Sequence, residues 1–295
     1  MATTITGAFN EFKTDLEITD RQEALVSGRR ARAVKALGAS LSLHTEVSRV
    51  IGSWDRQTLM RYLKEGDVDV MVVLNYGAHK DWHTADGTIK ALDRFKSILD
   101  AEFPSSATRR DRNCITVQFS EFRLDVVPAF KNPGGDYQIP DSIRREWLYT
   151  DPIEFASRMT TVNKNMDEMF IPLVKMVKAW NRHQGWPIRS FHLECLMYER
   201  YRTYEKGYTY PSMLKVFFED LSQRLARPVY EPVRGDGVDG YMEDGASPSR
   251  RDRAIAKAKK AAAAADEAYN DQEKYPSVAI NEWKDFLGEF FPSYG

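Results

Sequence analysis

Gly52-Ser53-Trp54-Asp55-Arg56-Gln57-Thr58, a short connector, and then Asp67-Val68-Asp69-Val70-Met71-Val72-Val73-Leu74 form the stretch on which the fold turns. A glycine-serine turn leads into an apolar run rich in β-branched residues, the composition of a strand. Side chains alternate along a strand, so Asp67 and Asp69 share one face while Val68, Val70 and Val72 point into the opposite layer. Unpaired charges are costly to bury, and a divalent cation between two adjacent carboxylates keeps both ionised. The pattern predicts a Mg²⁺ site. The plainer alternative is that both acids are solvated where a loop enters the strand.

Two further features favour the metal. Glycine lets the backbone approach a phosphate closely, and the Ser53 hydroxyl and neighbouring N–H groups supply donors. A third acid, Asp125, stands in Phe122-Arg123-Leu124-Asp125-Val126-Val127-Pro128, a second short apolar strand. With Cys114–Phe119 just upstream, this strand reads as an antiparallel hairpin that delivers Asp125 to the Asp67/Asp69 edge.

Four separated blocks then carry a family resemblance: Gly52-Ser53-x-x-Arg56-x-Thr58, Val127-Pro128-Ala129-Phe130, Lys178-Ala179-Trp180-Asn181 and Ser190-Phe191-His192-Leu193-Glu194. With the three aspartates, they resemble the nucleotidyltransferase superfamily of polymerase-β type. Within it they resemble the bacterial relatives of cyclic GMP-AMP synthase, the CD-NTases of anti-phage CBASS systems. The resemblance implies an α+β fold, with a polymerase-β-like nucleotidyltransferase lobe (a mixed sheet with flanking helices) and a helical second lobe. We place the catalytic lobe, with its N-terminal helix, at 1–150 and the helical lobe closing over the nucleotide at 151–295.

It further implies that two Mg²⁺ ions, with Mn²⁺ as a substitute, are held by Asp67, Asp69 and Asp125, and that Gly52 and Ser53 bind the triphosphate. Lys178, by itself a solvent-facing helix residue, would reach the β- and γ-phosphates as a point charge. Ser190 would add a hydroxyl contact at a helix N-terminus. Phe191 stands where relatives often carry a tyrosine stacked on the nucleobase; the competing reading is a core phenylalanine. Arg56 and Thr58 match the family turn, and Arg56 could equally brace Asp67. The implied activity joins nucleoside triphosphates, ATP among them, into a cyclic di- or trinucleotide second messenger that a product-sensing effector protein detects. The alternatives are a template-independent transferase acting on RNA or protein, and an inactive nucleotide sensor.

The chain has 295 residues and a mass of 33.9 kDa, enough for two lobes with cores. A formal net charge of −1 argues against stable nucleic-acid binding, which needs a broad basic surface. Cys114 and Cys195 stand far apart and suggest neither a disulfide framework nor a Cys-rich zinc site. Residues 1–28 lack the apolar core of a signal peptide and no stretch reaches transmembrane length, so we expect a cytoplasmic protein without membrane attachment.

Elsewhere the pattern predicts an amphipathic helix over 21–37 capped at Thr19 or Asp20, and a second helix from Thr84–Asp86 to Ala101. Between them, 75–84 reads as a polar solvated loop, in which zinc binding by His79 and His83 is the minor reading. Residues 131–152 read as turns without periodicity, and 1–19 give no firm signal. Helices follow over 172–180, from Ser190 as cap to Tyr201, and over 212–225. Residues 249–269, rich in Ala, Lys and Arg, suggest an exposed helix with little core contribution, and Trp283, Phe286, Leu287, Phe290 and Phe291 a final docking segment.

Overall fold

The computed structural model describes residues 2–204 and 207–295. In chain order the elements are α1 (Ile5–Asp15), α2 (Asp20–Ser40), β1 (Leu43–Ile51), α3 (Gly52–Asp55), β2 (Asp67–Leu74), α4 (Tyr76–His79), α5 (Ala85–Glu102), β3 (Ala107–Arg110), β4 (Ile115–Gln118), β5 (Arg123–Lys131), β6 (Tyr137–Asp141) and β7 (Glu146–Thr150). Helices follow: α6 (Pro152–Asn165), α7 (Phe170–His183), α8 (Ser190–Tyr201), α9 (Tyr210–Leu225), α10 (Arg250–Asp271) and α11 (Pro276–Leu287). Two compact units emerge, one of Ile18–Ala156 and one of Met1–Glu17 with Ser157–Gly295. The boundary expected at 150 thus falls inside α6. The first helix belongs with the helical unit, because Phe9 and Phe12 pack edge-on against Phe291, and Phe9 also against Trp283.

The first unit is a mixed sheet ordered β1-β2-β5-β4-β3, with β2 and β5 parallel and the other neighbours in that order antiparallel. Val68, Val70 and Val72 of β2, with Leu124 and Val126 of β5, face the main core, together with Leu92, Phe95 and Leu99 of α5 and Val26, Ala33 and Leu37 of α2. Thr19 caps α2 in a capping box with Gln22, and Thr84 caps α5. On the other face Met71, Val73, Ala129 and Tyr137 make a smaller apolar cluster. The acid-bearing face of β2 is therefore polar at its start and apolar further along.

Three local expectations change. The 75–84 segment is largely exposed, as expected, but its histidines are not free in solvent: His79 is buried with Nε2 3.1 Å from the Ser42 carbonyl, and the His83 ring lies against Tyr76, Phe130 and Trp147 while its Nε2 meets Gln138. Each histidine has its own protein partner, which removes the zinc reading. Residues 131–152 contain the hairpin β6/β7, whose strands are short, carry Pro140 and are flanked by turn signals. An N-terminal helix, α1, also exists, with the Thr4 side chain accepting from the Gly7 N–H.

In the helical unit, Trp180 of α7, Phe218 of α9 and Phe286 of α11 form an aromatic chain with centroids 4.8 Å apart at both Phe218 contacts. α10 is not the exposed helix expected. Ala254, Ala258, Ala261, Ala265 and Ala268, spaced alternately by four and three, are 0–3% exposed and form a seam along one face, with α9 as the most extensively contacted neighbour. Small side chains let two helix backbones approach, so a face without bulk is still core. Among the described residues, no helix is long and apolar enough to cross a membrane.

Ala258→Leu should overpack this seam and lower the unfolding free energy by about 1 to 3 kcal/mol in urea titrations. Lys259→Ala, on the exposed side of the same helix, should stay within about 0.5 kcal/mol of wild type.

Candidate active site

The parallel pairing of β2 with β5 sets the site. Register places Asp69 directly opposite Asp125 and Asp67 opposite Arg123. On the other side of β5, Thr116 of β4 stands opposite Asp125 and hydrogen-bonds its carboxylate. Burial pushes the Asp125 carboxyl above the usual range; the Thr116 bond pulls it down, the Asp67 charge pushes it up, and Arg123 pulls it down again. Burial also pushes the nearby Cys114 thiol up, with the Asp125 charge adding to it, so this cysteine is held protonated.

The turn before β2 presses against these acids. Gly52 has φ +70°, and a Cβ there would lie 2.0 Å from Asp69 Oδ2, so only glycine fits between β1 and the carboxylate. Its neighbour Ser53 is fixed through its carbonyl, which accepts from the N–H groups of Thr58 at 2.8 Å and Leu59 at 3.0 Å and from the Thr58 hydroxyl at 3.4 Å. Thr58 is fully buried, so its part in the turn is to staple the loop. Arg56 is buried with its guanidinium over the Phe155 ring at 5.4 Å, and an ion pair to Asp67 comes from Arg123.

Do these residues suit a divalent cation? All three acids are hard oxygen donors, the class that Mg²⁺ selects. Asp125 Oδ1 is buried and has no hydrogen-bond partner among the described residues, an arrangement that a bound cation relieves. The residues fit the ion. As the side chains stand, no three acid, histidine or cysteine groups among the described residues are clustered closely enough to hold one, and Asp67 is engaged by Arg123.

The remaining predicted residues lie in the helical unit. Lys178 is not the solvent-facing residue expected: it is 3% exposed, and its Nζ lies 3.1 Å from Oε1 of Glu194, whose side chain is fully buried. Ser190 opens α8 as its first residue and not as its cap; Arg189 is the N-cap, with no side-chain capping bond. Phe191 is 39% exposed, which retires the core reading. Behind it, the Tyr241 hydroxyl accepts from the Arg189 N–H at 2.8 Å and meets His192 Nδ1 at 3.0 Å, anchoring the start of α8. Burial lowers the His192 pKa to about 4, so the ring is neutral. Tyr241 has no sequence signal, being joined to α8 only by a long-range fold contact, and His192 stands in the Ser190–Glu194 block without a role of its own assigned there. Arg123 did have one: it sits two residues before Asp125 and therefore on the same strand face.

Two acids on one strand, a third on its parallel neighbour and a glycine turn against them define a nucleotidyltransferase of polymerase-β type. The model of the Second Messenger Oligonucleotide or Dinucleotide Synthetase domain matches residues 3–163, and the chain belongs to this family, the CD-NTases. It is 27% identical over 278 residues to a cyclic AMP-AMP-AMP synthase from Acinetobacter sp., covering 88% of this chain and 78% of that one. Among solved structures it resembles the Vibrio cholerae cyclic AMP-GMP synthase DncV, with TM-score 0.73, 13% identity and 99% and 98% of the two chains covered. It also resembles Escherichia coli CdnC in complex with a HORMA protein, with TM-score 0.71, 17% identity and 98% of each chain covered. The fold is thus the expected α+β nucleotidyltransferase fold, and the protein is an enzyme of metal-dependent, cyclic-nucleotide-synthesising type.

Two substitutions separate the site from its scaffold. Gly52→Ala should displace the Asp69 carboxylate and cost at least tenfold in nucleotide turnover, out of proportion to the loss of about 1 kcal/mol or more that alanine at a positive φ brings. Lys178→Ala should strip a buried carboxylate of its cation and cost about 3 to 5 kcal/mol of stability. An unchanged urea midpoint for Lys178→Ala, with weaker triphosphate binding, would instead favour the phosphate role.

Proposed function

We propose that this enzyme condenses nucleoside triphosphates, ATP among them, into a cyclic di- or trinucleotide messenger for anti-phage defence, with Asp67, Asp69 and Asp125 holding two Mg²⁺ ions. The observation that carries this reading is Asp69 opposite Asp125 on parallel strands, with the Gly52 turn closed on Asp69 and one Asp125 oxygen buried without a hydrogen-bond partner among the described residues. Bound there, the ions would neutralise charge on the transferring phosphate and lower the pKa of the incoming hydroxyl. The work of the protein is to fix the donors. Asp69 is held between Gly52 and β5, and Thr116 orients Asp125 through its hydrogen bond.

Gly52 and Ser53, immobilised by Thr58, would present backbone and hydroxyl donors to the triphosphate. Ser190 would contact phosphates from the first turn of α8, and the exposed Phe191 ring would stack on a base. For Lys178 we favour an indirect part, locking α7 to α8 through Glu194, over direct phosphate contact. The reaction would run in the cytoplasm, where nucleotides are available, and its product would be read by a separate effector protein. The transferase and sensor alternatives are not favoured, since all three acids are present in a chain of the messenger-synthase family.

The test is incubation with the four NTPs and Mg²⁺, phosphatase treatment and mass spectrometry. A phosphatase-resistant cyclic product with pyrophosphate release is expected. Asp67→Asn and Asp69→Asn should each lower turnover by several orders of magnitude at unchanged fold, because volume is conserved while a metal-binding charge is lost. Wild-type turnover in either variant at saturating Mg²⁺ would refute the site.

A further inference from the structure

The acid cluster has a basic neighbour to which nothing so far assigns a role. Arg123 opens β5, opposite Asp67 in the parallel register and two residues before Asp125 on the same face. Its guanidinium makes an ion pair with Asp67 Oδ1. The side chains are 40% and 44% exposed as wholes, yet Asp67 Oδ1 and Arg123 Nε have essentially no solvent access. The contacting carboxylate oxygen is thus shielded from solvent although both side chains are partly exposed.

We infer that Arg123 is a positioning residue that competes with the divalent cation for Asp67 and so sets the metal concentration at which the site fills. The inference rests on the three aspartates being metal ligands. A guanidinium holds a carboxylate through a rigid planar fork, so the competition is geometric as well as electrostatic. Three carboxylates brought to adjacent strand positions repel one another, and one fixed guanidinium offsets part of that repulsion before any metal arrives. Metal loading then requires Asp67 to give up or share its arginine contact, and places a divalent charge near a fixed monovalent one. Both effects act in the same direction: the arginine stabilises the metal-free protein and weakens metal binding. A partner that merely oriented Asp67 for the metal would have the opposite effect on affinity, since losing such an outer partner weakens metal binding.

Mn²⁺ binding to the EDTA-treated 295-residue chain, followed by electron paramagnetic resonance without nucleotide, reads this directly. Arg123→Gln should tighten Mn²⁺ binding about two- to fivefold, the range for a partly exposed ion pair, and should lower the melting temperature of the metal-free protein. Arg123→Lys, which keeps the charge and loses the fork, should bind Mn²⁺ with an affinity between those of wild type and Arg123→Gln. In an Asp67→Asn background the Arg123→Gln gain should shrink, because the two residues act through one contact. Unchanged or weaker Mn²⁺ binding in Arg123→Gln, with Asp67→Asn still impairing it, would overturn the competition and leave the metal site standing. Mn²⁺ binding indifferent to Asp67→Asn would overturn both.

Discussion

Carboxylates on a buried sheet are the constraint from which the catalytic unit follows. An ionised acid tolerates removal from water only if something charged or hydrogen-bonding replaces it. β2 and β5 run parallel and in register, so Asp69 and Asp125 cannot avoid each other; the Gly52 turn closes on Asp69, Thr116 bonds Asp125, and Arg123 pairs with the neighbouring Asp67. Parallel pairing requires a crossover, and α5 supplies part of it while covering the opposite, valine-rich face. One strand thereby belongs to a core on one side and to a reactive centre on the other.

The position of the centre along the strand follows from where apolar cover ends. Beyond Asp69, the same face of β2 carries Met71 and Val73, which pack with Ala129 and Tyr137. Those residues hold the sheet rigid immediately beside the acids. Rigidity there matters because metal-assisted transfer depends on donor positions more than on donor flexibility. Gly52 serves the same end from β1: with no Cβ, it lets the backbone close onto the Asp69 carboxylate at a distance no other residue permits.

Much of this was legible in the sequence because period-two alternation is a local signal. Asp67, Asp69 and Asp125, the β4/β5 hairpin and the capped helices α2 and α5 could each be read from a few neighbouring residues. The misreadings have a common cause, in that burial is decided by partners distant in sequence. Lys178 has the residue type of a surface position, and only the packing of α7 against α8 brings it to Glu194. His79 and His83 stand in a polar stretch, yet Ser42, Gln138 and Trp147 enclose them from elsewhere in the chain. The alanine seam of α10 is hidden for a different reason: hydrophobic bulk marks most core faces, whereas close helix contact selects small side chains.

The helical unit shows how ionisable groups become scaffold once buried. Glu194 follows Ser190 by four residues, one helical turn, so the Lys178–Glu194 pair ties the first turns of α8 to α7. Tyr241 ties the same turn to the 240–242 segment through Arg189 and His192. His192 can serve because it is neutral: its folded pKa of about 4 lies below the ordinary value near 6.5, so acidification through that window protonates the unfolded chain before the folded one and draws stability away. Above the window the tyrosine-histidine bond carries no net charge and needs no counter-ion. Two polar contacts on opposite flanks thus hold the start of α8, and with it Ser190 and the exposed ring of Phe191, without using either residue to do so.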